Sequence, residues 1–175
     1  MSSNSIGALV GFFIGLLIAS VLIIFSNKNR KFKTEYDERQ KVIRGNAYKY
    51  GFMFLVCYLL LIMFFDATGF EIPLDLAALA VTGIVSGVTV VACYSIWNGA
   101  YWGLNNNVKR YMIVFIAGFV LNGVIAVISL VMGTMFKDGI VHGSFVNLIV
   151  TIMFVIISIV MFIRKRIDLP NHEED

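Results

Sequence analysis

Apolar residues run almost unbroken through five stretches, at 6–26, 48–65, 74–97, 111–134 and 144–163, with short polar segments between them. A bilayer core about 30 Å thick needs roughly 20 apolar residues per helix, and each stretch is near that length. Continuous runs predict helices, because a barrel strand would alternate apolar and polar residues. No Asp, Glu, Lys, Arg or His stands near the centre of any run. Lys49 and Asp75 lie at run ends, where a long side chain snorkels and a short one reaches the headgroups. The pattern predicts an all-α polytopic integral membrane protein: one transmembrane domain over 1–175, built as a bundle of five transmembrane helices.

Composition agrees. Hydrophobic residues make up 59% of the 175 residues and charged residues 14%, against about 45–50% and about 25% in a soluble domain. This excludes a disordered chain, a disulfide-stapled miniprotein and an ordinary cytosolic enzyme. Charge then sets orientation. The segments 27–49, 98–110 and 164–175 hold every one of the 14 Lys and Arg except Lys137. The positive-inside rule places the N-terminus out and the C-terminus in, in a plasma membrane. The turn at 66–73 carries Asp66 and Glu71 and no cation, as an outer loop should. Residues 1–5 carry no charged side chain, so the first run reads as an uncleaved anchor rather than a signal peptide. Cys57 and Cys93 fall in different runs without CxxC spacing and read as packing residues.

The longest polar segment, 27–49, is the richest in chemistry. Thr34 and Asp37 have capping-box spacing, predicting a juxtamembrane helix over about 34–47 that runs into the second span. Acids at Glu35, Asp37 and Glu38 suit the positive end of its dipole, and Asp37 with Lys41 forms a favourable i,i+4 pair. Lys28, Arg30, Lys31 and Lys33 are candidates for anionic lipid headgroups, or they simply enforce topology. Glu35, Asp37, Glu38, Arg39 and Gln40 are candidates for binding a cytoplasmic regulatory protein, or form a solvated helix face. A cluster this short and this close to the membrane is a poor nucleic-acid site.

The run Tyr36-Asp37-Glu38-Arg39-Gln40, followed by Ile43-Arg44-Gly45 and Ala47-Tyr48-Lys49-Tyr50, resembles a group of small uncharacterised bacterial membrane proteins. These carry a cytoplasmic Asp-Glu-Arg-Gln segment ahead of an apolar span. They tend to occur in Gram-positive bacteria, often beside small helix-turn-helix regulators. The resemblance implies a class and a host type and carries no activity with it.

Within the spans, Gly7, Gly11 and Gly15 lie on one face of the first run, and Gly83 and Gly87 repeat the spacing in the third. Small residues let helices approach closely where lipid removes the hydrophobic drive, either as internal packing or as a homo-oligomer seam. Tyr94, Asn98, Tyr101 and Asn105 share a face if the third helix continues past Trp97. They form either a pocket or path lining, or an interfacial aromatic belt. Asn122, in the middle of the fourth run, needs a partner across a helix contact or touches a substrate.

No P-loop, HExxH or nucleophile elbow is present, and the spans lack the acid that a proton-coupled exporter uses. The sequence therefore points to a non-enzymatic membrane protein without a cofactor. It would bind a partner through 27–49 in a regulatory or envelope-sensing role. The alternative is a small transporter or channel-like subunit, and a lipid-modifying enzyme is a minor third.

Overall fold

The computed structural model describes residues 13–15, 17–18, 20–21, 34–104, 108–137, 139–141 and 145–168. The chain divides into two units, Met1–Glu35 and Tyr36–Asp175. In the first unit the described residues 13–15, 17–18 and 20–21 are helical. The second unit contains α1 (Glu38–Ala67), α2 (Leu76–Trp97), α3 (Val108–Val131) and α4 (Val146–Asp168), with a two-stranded hairpin, β1 (Phe136–Lys137) and β2 (Ile140–Val141), between the last two helices.

Three helices are long and apolar enough to cross a membrane: Glu38–Ala67, Leu76–Trp97 and Val146–Ile167. In α3 the apolar stretch is the shorter Phe115–Val131. At 1.5 Å per residue, the 30 residues of α1 span about 45 Å, more than the hydrocarbon thickness. The segment expected to form a juxtamembrane helix is thus the first turns of this one long helix.

That helix begins later than its sequence predicts. Asp37, not Thr34, is the N-cap, and the capping box pairs Asp37 with Gln40. The Asp37 carboxylate accepts the Gln40 N–H at 2.6 Å, and Gln40 Oε1 accepts the Asp37 N–H at 3.4 Å. A carboxylate at the N-cap meets both the orphan donor and the positive end of the dipole. With Asp37 so engaged, Lys41 pairs with Glu38 rather than with Asp37.

The helices pack as a row, α1 on α2, α2 on α4 and α4 on α3. Small residues lie inside. Ala47, Ala78, Ala92, Ala100 and Ala126 are buried, while Phe52, Leu60, Met63, Ile113 and Leu121 face outward. That arrangement suits lipid, where close backbone approach rather than apolar burial holds helices together. Gly51 of α1 meets Gly87 of α2: a Cβ at Gly51 would collide with Val91 and stand 3.1 Å from the Gly87 carbonyl oxygen. Gly83 admits the Tyr58 ring, whose hydroxyl donates to the Leu79 carbonyl at 2.8 Å. Gly83 and Gly87 therefore serve internal packing. Between α4 and α3, Gly118 makes room for Phe154, which meets Phe115 edge-to-face at 4.7 Å.

Five Ser and Thr hydroxyls in the helices bond locally. Thr82, Thr89, Ser95, Thr151 and Ser158 each donate to the carbonyl four residues back. The far end of the unit is laced by backbone. Val141 N–H donates to the Pro73 carbonyl at 2.9 Å and Asp75 N–H to the Val141 carbonyl at 3.0 Å. This hairpin corrects the purely helical expectation. Phe136 pairs with Val141 and Lys137 with Ile140, with Gly139 at φ 79° in the turn. The strands are too short, at two residues each, to show in a hydropathy pattern.

Candidate functional site: a cleft walled by a pinned loop

α2 stops at Trp97. Asn98 is its C-cap, and Gly99 follows at φ 71°, a conformation that a glycine adopts without Cβ strain. The helix therefore does not carry Tyr94, Asn98, Tyr101 and Asn105 on one face, as its continuation would have required. Asn98 folds back so that its Nδ2 donates to the Tyr94 carbonyl at 2.8 Å, and the Tyr94 ring lies against Tyr50 of α1 at 5.0 Å. Ala100 N–H donates to the Ser95 carbonyl at 2.8 Å, and Ala100 is fully buried.

The loop beyond is held from α1. Gln40 Nε2 donates to the Gly99 carbonyl at 3.2 Å and to the Trp102 carbonyl at 3.3 Å. One amide thus caps its own helix with its oxygen and secures a distant loop with its nitrogen. One turn further, Arg44 lies over the Tyr36 ring at 4.3 Å and donates to the Tyr48 hydroxyl at 3.3 Å. Tyr101 feels this neighbourhood. Burial pushes its phenol pKa up and Tyr36 adds to the rise, while the Arg44 cation opposes it. The phenol is therefore a neutral group at physiological pH.

Tyr101 and Trp102, edge-to-face at 4.7 Å, wall a cleft of about 640 Å³. Its volume lies in the range of about 300–1,000 Å³ usual for small-molecule sites. From α3 come Met112, Phe115, Ile116 and Phe119, a stripe at 0, +3, +4 and +7. From α4 come Ser158, Met161, Phe162 and Lys165 at the same spacing, joined by Arg164. Arg166 lies over the Phe162 ring at 5.1 Å. The described lining holds two cations and no carboxylate, both cations at one end of an otherwise apolar trough.

Of the residues singled out as a pocket or path, Tyr101 lines this cleft. Tyr94 lies against α1, Asn98 folds back on the Tyr94 carbonyl of its own helix, and Asn122 Nδ2 donates to the Gly118 carbonyl of its own helix at 2.8 Å. Asn105 lies outside the described residues, as do Gly7, Gly11, Lys28, Arg30, Lys31 and Lys33; Gly15 is helical. Asp37 is an N-cap, Gln40 is half-buried in the loop contact, and Glu38 and Arg39 are exposed on the first turn of α1. Glu35 is exposed in the first unit. Among the described residues no group of three His, Cys, Asp or Glu side chains comes together to hold a metal.

No family model, curated protein or solved structure matches the chain.

The α3 and α4 stripes are the part that a sequence reading misses. Arg164 and Lys165 count there only towards orientation, and the shared 0, +3, +4, +7 spacing is the one signal available. In spans apolar on every side, such a stripe is indistinguishable from a lipid-facing one.

Proposed function

We propose that the chain is a five-span plasma-membrane protein of Gram-positive type, N-terminus out and C-terminus in, that acts by binding rather than by catalysis. The distribution of basic residues and the resemblance around Asp37-Glu38-Arg39-Gln40 support the topology and the host type. Its cytoplasmic 27–49 segment is the face that a regulatory protein reads. The observation that carries this reading is the Gln40 contact. The same helical turn that exposes Glu38 and Arg39 also holds the loop that walls the cleft. Occupancy of the cleft and presentation of the cytoplasmic face are thereby linked through one side chain. A transport path has less support, since among the described residues proposed for it only Tyr101 reaches the cleft.

The test is photocrosslinking in native membranes from Arg39, the exposed neighbour of Gln40, followed by mass spectrometry. One specific cytoplasmic protein is the expected product. Self-crosslinks and lipid adducts alone would overturn the partner reading.

A further inference from the structure

We propose that the cleft between the 98–104 loop, α3 and α4 is a binding site for an anionic phospholipid of the surrounding bilayer. Its phosphate would lie at Arg164 and Lys165, and part of one acyl chain along Phe115, Phe119 and Phe162. The inference deepens the binding reading above and rests on it.

Three observations favour this occupant. The first is charge: Arg164 and Lys165 line the cleft, Arg166 stacks beside it on Phe162, and the described lining contributes no carboxylate. A phosphate diester is the anion that a bilayer supplies in abundance at this depth, and an Arg–Lys pair recognises it through charge-assisted hydrogen bonds. The second is direction. The cations sit at the C-terminal end of α4, where a spanning helix meets the interface. From Lys165 back to Ser158 the trough runs seven residues inward, about 10 Å at 1.5 Å per residue. Head outward and chain inward is the orientation of a lipid in its own leaflet. The third is wall chemistry. Beyond the cations the α3 and α4 sides are Met, Phe and Ile with a single hydroxyl, and Ser158 donates that hydroxyl to the Phe154 carbonyl at 2.8 Å. A soluble polar anion would find few partners there. A methylene chain needs none.

The loop residues complete the site. Tyr101 is neutral, and Trp102 is placed by the Gln40 contact, so one wall depends on the cytoplasmic helix while the cations belong to α4. Gln40 is a positioning residue for this site.

The test uses the full chain purified in detergent. It is titrated with dioleoyl phosphatidylglycerol or dioleoyl phosphatidylcholine, carrying a photoreactive diazirine on one acyl chain, and adducts are mapped by mass spectrometry. Phosphatidylglycerol is expected to label α3 and α4 residues of the cleft at least tenfold more strongly than phosphatidylcholine. Arg164→Gln with Lys165→Gln is expected to abolish that preference, whereas the charge-matched Lys41→Gln with Lys49→Gln preserves it. Circular dichroism on each variant confirms that helix content is retained.

Equal labelling by both lipids in the cleft would overturn the anionic assignment and leave the binding reading standing. Adducts spread over the outer faces, with no enrichment in the cleft, would overturn the site. Loss of preference in both double variants would reduce it to bulk surface charge. None of these outcomes bears on protein capture at Arg39, so the two proposals fail separately.

Discussion

Gln40 Nε2 lies 3.2 Å from the carbonyl oxygen of Gly99, 59 residues further along the chain. A loop carbonyl next to a helix C-terminus has no intrahelical donor, and an amide from a neighbouring helix supplies one. Its partner contact at Trp102 makes the link two-point, so the loop is oriented as well as tethered.

Gln40→Glu separates the two jobs of this side chain. A glutamate still accepts the Asp37 N–H and keeps the capping box, but it sets carboxylate oxygens against the Gly99 and Trp102 carbonyls. Expected is a loss of about 1–3 kcal/mol in unfolding stability, with a shift in Trp102 emission when Trp97 is replaced by Phe. Unchanged emission and stability would mean that the loop stands without its contact to α1.

The α1–α2 crossing predicts an asymmetry between two glycines. Gly51→Ala drives a methyl into Val91 and the Gly87 carbonyl, whereas a Cβ at Gly87 stands at an ordinary 3.5 Å from the Gly51 carbonyl. Overpacking at Gly51 should cost about 1–3 kcal/mol. Gly87→Ala should be neutral or slightly stabilising through its better helix propensity. Thermal unfolding in detergent distinguishes them, and equal effects would contradict the crossing described here.

Orientation is accessible to thiol labelling. In a background with Cys57 and Cys93 replaced by Ala, Ser3→Cys should react with an impermeant maleimide in intact cells. Asn106→Cys should react only after permeabilisation. A reversed result would turn the protein over.

Asn122→Leu tests whether the polar residue in the middle of α3 matters to the cleft. Its amide is satisfied within α3, at the Gly118 carbonyl. Stability is expected to change by less than about 1 kcal/mol, with phosphatidylglycerol labelling unaffected. A collapse of labelling would bring Asn122 into the site.

The first glycine face predicts separately that Gly11→Ile weakens detergent-stable assemblies, read by size-exclusion chromatography with light scattering. Unchanged assembly size would leave Gly7, Gly11 and Gly15 to packing within one chain.

Helix positions were legible in the residues because lipid imposes a simple rule: backbone polar groups must bond internally, so an apolar run of about 20 residues has few options. The ends of α1 and α2 were less legible. Thr34 and Asp37 both offer a cap, and only the packed helix chooses Asp37. Tyr94 and Tyr101 sit seven residues apart and look like one helical face. The left-handed turn at Gly99 sends one towards Tyr50 and the other into the cleft.

Which helices touch was not written in the hydropathy, because a span apolar all round gives no preferred face. The row order depends on where small residues and fitting rings coincide, as Gly51 with Gly87, Gly83 with Tyr58 and Gly118 with Phe154. Gln40 shows the limit most clearly. Its residue type and its place after Asp37 announce a helix cap, which is local chemistry and readable from spacing. Its grip on Gly99 and Trp102 joins residues 59 and 62 positions apart, and exists only because α1 and α2 cross closely enough to bring the loop within reach.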